Sequence, residues 1–354
     1  MSEQVRVLLV GAGHMGTSHG RAYASIDGFE LCGVVTRGES GARLAAELGG
    51  VPHFRQFETA LDSVRPDAVG IASFTETHVP YATAALRAGC HVFVEKPLAS
   101  TVAEAELLVE LARERSKALV VGYILRHHPS WQRFVAEARR LGTPLAMRMN
   151  LNQQSSGPEW ATHRAIMATT SPIVDCGVHY VDVMAQMTGS RATRVSAIGA
   201  RLTEDLPDGM YNYGQLQVAF EDGSVGWYEA GWGPMMSETA YFVKDVVGPL
   251  GSVSIESGSG DGGSADVEQH TATSRLRIHH AEQRDDGALA RIDQLVDSDD
   301  EPDHDEVCRR EQQWFLDAID GRVEVERHLA EVVDSLRIVL AADESVRTGR
   351  TIEL

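Results

Sequence analysis

At 354 residues the chain exceeds the size at which single hydrophobic cores usually stop growing, so two domains are expected, and 43% hydrophobic with 23% charged residues is ordinary for a globular protein. Acidic residues outnumber basic ones 51 to 32, a formal charge of -19 that repels polyanions and leaves no basic stripe for nucleic acid or an anionic lipid surface. No stretch approaches a membrane span, the start MSEQVRVLLVGAG carries too short an apolar run for a signal peptide, and Cys32, Cys90, Cys176 and Cys308 are too scattered for zinc or a redox pair; a cytoplasmic protein with reduced thiols and no membrane partner is expected.

In chain order, RVLLV (6–10), LCGVV (31–35), AVGIA (68–72), HVFVE (91–95) and ALVVG (118–122) read as buried strands. Between them SGARLAAELG, HVPYATAALRAG and TVAEAELLVELARER carry helical periodicity. Repeated strand-then-helix units with nearly all-apolar strands predict an α/β fold with a parallel sheet covered on both faces, a Rossmann domain over residues 1–122.

After a helical stretch, PSWQRFVAEARRLG (129–142), the pattern changes. LAMRMNLNQ (145–153), RVSAIGARL (194–202), YGQLQVAFEDGSVGWYEAGW (213–232) and GSVSIES (251–257) alternate polar and apolar residues and are divided by turns such as EDGS. This predicts a second α/β domain over 123–354 with a large, mostly antiparallel sheet open on one face. ESGSGDGGSAD (256–266) reads as a flexible surface connection, DSDDEPDHDE (297–306) as a solvated acidic one without the spacing of a calcium loop, and the chain closes in helices at 309–319 and 328–349.

Directly after the first strand comes GAGHMG. Gly11 permits the tight turn, Gly13 lets the backbone approach a pyrophosphate and Gly16 lets the helix pack on the strand, while the free N–H groups of the helix start, with His14 and Met15 in its first turn, face the phosphates. A cofactor-binding Asp or Glu usually closes the second strand about 20 residues further on. Thr36 and Arg37 stand there instead, with Ser40 close by; they suit a 2′-phosphate that a carboxylate would repel, so NADP is favoured over NAD, the alternative being that Arg37 merely stacks on the adenine and either cofactor binds.

EKPLAST closes the fourth apolar strand. Ligands of open α/β sheets bind beyond the carboxyl ends of the strands, which would bring Lys96 beside the cofactor; the same tripeptide also reads as an ordinary strand end stopped by Pro97. In SPIVDCGVHYVD (171–182), Asp175 and His179 are four positions apart in an apolar stretch, a spacing that on one helix stacks a carboxylate against an imidazole. Taken alone, such a pair is far more often a solvated or structurally satisfied contact than a catalytic one.

GAGHMG, EKPLAST, GYILRHHP (122–129), DCGVHYVD and the closing ESVRTGRTIEL, in this order and at these distances, resemble the Gfo/Idh/MocA family of glucose-fructose oxidoreductase, inositol dehydrogenase and related sugar dehydrogenases. The resemblance implies a nucleotide-binding domain followed by a substrate-binding and oligomerisation domain, a homodimer or homotetramer, and a pocket in which Lys96, Asp175 and His179 meet substrate at the nicotinamide, with Glu95 and Pro97 completing the cofactor-contacting motif. The family's TPNxxH appears as SFTETH (73–78), keeping His78 and leaving Ser73 at its head but placing Phe74 and Thr75 where proline and asparagine are usual. The implied reaction moves hydride between NAD(P) and a secondary alcohol or ketone of a sugar, inositol or related polyol. His179 is the base or acid, Lys96 stabilises charge on the reacting oxygen and Asp175 orients.

NLNQQSSGPEWATHR (150–164) offers Asn152, Gln153, Trp160, His163 and Arg164 to a polyhydroxylated substrate, and Tyr123 and Arg126 stand as further substrate-binding candidates. His127, His128, His279 and His280 form no ligand spacing, so no metal is expected. Two other activities fit the same fold: a redox-neutral, cofactor-retaining glycosidase-type enzyme and a non-catalytic nucleotide or sugar sensor, the latter having no need of a proton relay.

Overall fold

A computed structural model describes residues 4–238, 242–256, 263–264, 271, 273–298 and 301–354. The chain divides into two compact units, Met1–His127 with Pro302–Val333, and His128–Glu301 with Asp334–Leu354.

The first unit is built on a six-stranded parallel sheet in the order β3-β2-β1-β4-β5-β6. Its strands are β1 (Val5–Val10), β2 (Phe29–Val35), β3 (His53–Phe54), β4 (Ala68–Ile71), β5 (His91–Glu95) and β6 (Leu119–Gly122). Residues Val7–Val10, Ala68–Ile71 and Leu119–Gly122 are buried without alternation, as strands covered on both faces must be. Helices α1 (His14–Ser25), α2 (Glu39–Glu47), α3 (Phe57–Val64), α4 (His78–Arg87) and α5 (Val102–Arg115) make the connections. α5 starts at an N-cap: the Thr101 hydroxyl accepts the Glu104 backbone N–H at 3.2 Å and donates to its carboxylate at 2.9 Å.

One boundary at 122/123 is not how these units divide. The helix His304–Ile319 packs along α1, and its Phe315 and Leu316 join Tyr23, Phe29 and Phe93 in the core of the first unit. Asp303, part of the stretch read as a solvated acidic connection, caps that helix by accepting the Glu306 N–H at 2.8 Å, and Glu301 accepts the Thr273 N–H at 2.6 Å. These acids therefore satisfy backbone donors rather than water alone.

The second unit carries a nine-stranded sheet, β14-β13-β12-β11-β7-β10-β9-β8-β15. Its strands are β7 (Ala146–Gln153), β8 (Ala192–Ala200), β9 (Tyr213–Phe220), β10 (Val225–Trp232), β11 (Lys244–Gly248), β12 (Gly251–Glu256), β13 (Arg275–His280), β14 (Gln294–Asp297) and β15 (Ile352–Glu353). All pairings are antiparallel except β7 with β10. β9 and β12 alternate buried and less buried residues, the signature of one packed and one open face. Helices α6 (Pro129–Arg139), α7 (Gly157–Ile166), α8 (Pro172–Asp175) and α9 (Gly177–Thr188) complete this part of the chain. Most of the connection expected over 256–266 lies outside the described residues; Ser264, which is described, is buried and its hydroxyl accepts the Gln154 N–H at 2.7 Å. All four cysteines are buried, and none is in a disulfide. Among the described residues no helix is long and apolar enough to cross a membrane.

Candidate active site

In the first unit the three glycines of GAGHMG do different work. Gly11 has φ +107°, and a Cβ there would stand 1.9 Å from the Ala72 carbonyl oxygen at the end of β4. At Gly16 a Cβ would come within 2.6 Å of the Gly11 carbonyl oxygen, so this glycine sets the distance from helix to turn. A Cβ at Gly13 would meet nothing within 4 Å. Gly13 caps α1 at φ -79°, without a side-chain cap and with no acid in the first helical turn. Local packing does not require a glycine there, whereas a phosphate lying against the free N–H groups of the helix start does. The residues present therefore fit a dinucleotide.

Beyond β2, Thr36 is half-buried and Arg37 exposed, with no ion-pair partner for Arg37 among the described residues. The Thr36 hydroxyl accepts the Gly38 N–H at 3.3 Å, shaping the turn into α2. Beyond β4, Ser73 Oγ lies 2.6 Å from Thr77 Oγ1, and Phe74 is exposed. His78 ties two strand ends together: Nδ1 lies 2.8 Å from the Pro97 carbonyl oxygen and Nε2 3.0 Å from that of Ser73. Burial pulls its pKa below the ordinary value against the opposing pull of these two carbonyls. Lys96 follows β5 through a cis Lys96-Pro97 peptide and is the one residue between Val92 and Ala99 that is not buried. His14 lies against His304 at 5.3 Å between ring centroids, and Met15 is half-buried. Tyr123 is buried beneath the Arg126 guanidinium, and Arg126 pairs with Glu331 at 2.8 Å, so structural contacts account for both.

In the second unit the stretch from Ser171 to Met184 is buried at every position but two, Asp175 and His179. They do not share one unbroken helix. α8 ends at Asp175, α9 starts at Gly177, and the His179 N–H bonds back to the Cys176 carbonyl at 3.2 Å. The break accompanies close packing: a Cβ on Gly177 would come within 2.9 Å of the Tyr228 ring. Asp175 Oδ2 accepts the Cys176 thiol at 3.6 Å. His163 stacks on Trp232 with centroids 4.4 Å apart and its Nδ1 lies 2.8 Å from Ser155 Oγ. Burial lowers the His163 pKa to about 4, although the charges of Asp175 and Glu159 act in the other direction. Asn152 is buried and donates to Glu229 Oε1 at 2.5 Å. Trp160 carries the Arg164 guanidinium at 5.8 Å, and exposed Arg164 pairs with Asp205 at 3.6 Å. Arg164 is thus held by surface partners, while His163, stacked on Trp232, feels the Asp175 charge.

The sequence matches the domain model described as "Oxidoreductase family, NAD-binding Rossmann fold" over residues 5–123 and that described as "GFO/IDH/MocA C-terminal domain" over 133–252. The chain belongs to the GFO/IDH/MocA oxidoreductase family. Within the family it is similar to UDP-N-acetylglucosamine 3-dehydrogenase of Acidithiobacillus ferrooxidans, 31% identical over 58% of this chain and 61% of that enzyme. It is also similar to scyllo-inositol 2-dehydrogenase (NAD(+)) of Bacillus subtilis, 28% identical over 72% of this chain and 75% of the relative. The chain thus matches somewhat less than two thirds of the first of these. Levoglucosan dehydrogenase, solved with NADH and levoglucosan, shares the fold at a TM-score of 0.82 over 99% of both chains with 20% identity.

One polar grouping in the first unit escaped the sequence reading. His19 of α1, Glu95 of β5 and Glu311 of the helix His304–Ile319 converge in its interior. Glu95 belongs to a motif, but the other two sit on amphipathic helices whose pattern gives no sign that a buried carboxylate is among them.

Proposed function

We propose that the protein is an NAD(P)-dependent dehydrogenase or reductase acting on a secondary alcohol or ketone of a polyhydroxylated small molecule, a sugar, an inositol or a relative of these. The observation that carries this reading is the exposure pattern of two motifs: Lys96 alone is open between Val92 and Ala99, and Asp175 and His179 alone between Ser171 and Met184. Buried segments that present only a cation, a carboxylate and an imidazole are suited to proton transfer and charge stabilisation at an alcohol carbon. The two curated relatives described above are named for a sugar nucleotide and an inositol, both bearing ring secondary alcohols.

Gly11, Gly13, His14, Met15 and Gly16 hold the pyrophosphate at the start of α1, with Ser73, His78, Glu95 and Pro97 framing the loops toward the nicotinamide. When bound, the nicotinamide supplies the hydride acceptor or donor. Lys96 hydrogen-bonds the reacting oxygen and stabilises negative charge there. Nδ1 of His179 is buried, so Nε2 exchanges the hydroxyl proton. Asp175 orients the substrate and offsets the cationic groups; Asn152, Trp160, His163 and Trp232 offer hydrogen bonds and ring surface to a polyol.

Thr36 and Arg37, which has no ion-pair partner among the described residues, favour NADP over NAD. The open face of the nine-stranded sheet exposes Ile198, Val225 and Val247, and a second copy of the chain covers it, giving a homodimer or homotetramer.

The test is calorimetric titration with NADP⁺ and NAD⁺, then a panel of sugars, inositols and sugar acids followed by nicotinamide absorbance. Tighter NADP⁺ binding, lost in Arg37→Ala, with net reduction on a polyol is expected. Retained cofactor with no net reduction anywhere on the panel contradicts the dehydrogenase and favours a redox-neutral enzyme or a sensor.

A further inference from the structure

His19, Glu95 and Glu311 bring one donor atom each within 4.8 Å of the other two, inside the first unit. His19 is 1% exposed, Glu95 6% and Glu311 0%. The His19 Nε2 lies 2.6 Å from Glu95 Oε1, and its Nδ1 accepts the Gln312 amide at 3.0 Å. The other Glu95 oxygen accepts the backbone N–H of Lys96 at 3.2 Å, so this carboxylate holds the residue assigned to the reacting oxygen. Gly122 on β6 leaves it room: a Cβ there would press on the Glu95 carboxyl at 3.1 Å.

Glu311 is treated differently. Among the described residues neither of its oxygens has a hydrogen-bond partner, nor do the Tyr23 hydroxyl and Gln312 Oε1. An ionised carboxylate so buried and unmatched is prohibitively costly, and the neighbouring Glu95 charge makes it worse. His19 does not relieve this: with Nδ1 accepting from Gln312, the ring proton sits on Nε2 and points to Glu95. Turning the Gln312 amide over would give Nδ1 a proton too, yet the imidazolium would still face Glu95.

We propose that Glu311 is held as a neutral carboxylic acid beside an ionised Glu95, and that its lack of charge keeps the Glu95 carboxylate on the Lys96 backbone, making Glu311 and His19 positioning residues for the turn that carries Lys96. This rests on the assignment of Lys96 to the reaction. Around the cluster, Tyr23 of α1 senses the Glu311 and Glu95 charges, and His304 of the helix of Glu311, which lies against His14 and Cys308, senses His19 and Glu95; His78 acts on Glu95 electrostatically. Burial lowers the His304 pKa to about 4 and lowers that of His78, so neither supplies a cation at neutral pH. Burial and the Glu95 charge together raise the Glu311 pKa well above the ordinary carboxyl value.

A raised folded-state pKa means that the folded protein binds more protons than the unfolded chain from the ordinary carboxyl range upward, so this group makes stability fall as pH rises through that window. Thermal unfolding of wild type, Glu311→Gln and Glu311→Ala without substrate, followed from the ordinary carboxyl range to alkaline pH, reads this directly. Glu311→Gln is expected to flatten the decline, and infrared difference spectra to show a protonated-carboxyl band at neutral pH that Glu311→Gln lacks. In turnover, Glu311→Ala is expected to lose about tenfold in kcat through displacement of the turn, with the isosteric Glu311→Gln restoring it and extending the alkaline limb of the pH profile. An unchanged decline without the infrared band overturns the neutral acid, as does a stoichiometric divalent metal that co-purifies with wild type and is lost in Glu311→Gln. Loss of kcat in Glu311→Gln equal to that in Glu311→Ala overturns the positioning role. If Glu311→Gln does not fold, the band in wild type and its deuterium shift still decide the protonation state. The unfolding and infrared readouts need no substrate, so a failed dehydrogenase assignment is recognised separately.

Discussion

Gly11 and Gly13 stand two residues apart in one turn, and alanine at each should separate folding from cofactor binding. Gly11→Ala must adopt φ +107°, and its Cβ would start 1.9 Å from the Ala72 carbonyl oxygen where real Cβ contacts do not fall below 3.0 Å; the end of β4 or the turn must move by 3.0 - 1.9 = 1.1 Å. Backbone strain of about 1–3 kcal/mol and overpacking of about 1–3 kcal/mol give a loss near 4 kcal/mol, a large share of a total that is usually about 5–15 kcal/mol. Gly13→Ala keeps φ -79° and meets nothing within 4 Å, so its stability should stay within about 1 kcal/mol of wild type and can even rise, because alanine restricts the unfolded chain. Its methyl group fills the space assigned to the pyrophosphate and should weaken nucleotide binding at least about tenfold, or roughly 1.4 kcal/mol. Urea unfolding and calorimetric titration measure the two quantities. Wild-type nucleotide affinity in a folded Gly13→Ala would refute the placement of the phosphates, and wild-type stability in Gly11→Ala would refute the strain argument.

Lys96→Met and His179→Asn should each lower kcat by about 10²- to 10⁴-fold with nucleotide affinity little changed, and near-wild-type turnover in a folded variant removes that residue from the chemistry. Arg37→Asp should lower NADP⁺ affinity far more than NAD⁺ affinity, because it places a carboxylate against the 2′-phosphate; equal effects on both would leave Arg37 without a role in selection. Burial lowers the pKa of His127, His163 and His304 to about 4, and that of His328 well below its ordinary value. The unfolded chain therefore binds more protons than the folded one below about pH 6.5, and stability should fall as pH drops toward 4, with up to about 1.4 kcal/mol per pH unit for each histidine. A flat unfolding midpoint across that window would contradict their burial as neutral rings. Thr101→Ala should cost about 1 kcal/mol by removing the α5 cap, measured by urea unfolding, and no loss would show that the cap is replaced by water.

The parallel sheet was legible because a strand covered on both faces has to be apolar at nearly every position, and the β-branched runs here are short and alternate with amphipathic helical segments. The alternation of β9 and β12 likewise announced an open-faced sheet. Strand neighbours are a different matter: β7 and β10 pair in parallel although far apart in the chain, and alternation records which face a residue takes, not which strand lies beside it. The pattern of the helix His304–Ile319 shows that it buries a face, while only the shapes of Tyr23, Phe29 and Phe93 decide that Phe315 packs among them. Asp175 and His179 were visible by spacing, but the interruption at Cys176 accompanies the fit of Gly177 against Tyr228, a tertiary contact the spacing does not record. Glu311 could not be read at all, since a glutamate on an amphipathic helix is ordinarily on its wet side.

The most direct test of the central claim is a single-turnover experiment in which the protein, loaded with one equivalent of NADP⁺, is mixed with each polyol of the panel while nicotinamide absorbance is followed. Stoichiometric reduction by at least one polyol in wild type, abolished in His179→Asn with the nucleotide still bound, is the expected result. Nucleotide bound with no reduction by any polyol, or reduction undiminished in His179→Asn, would contradict it.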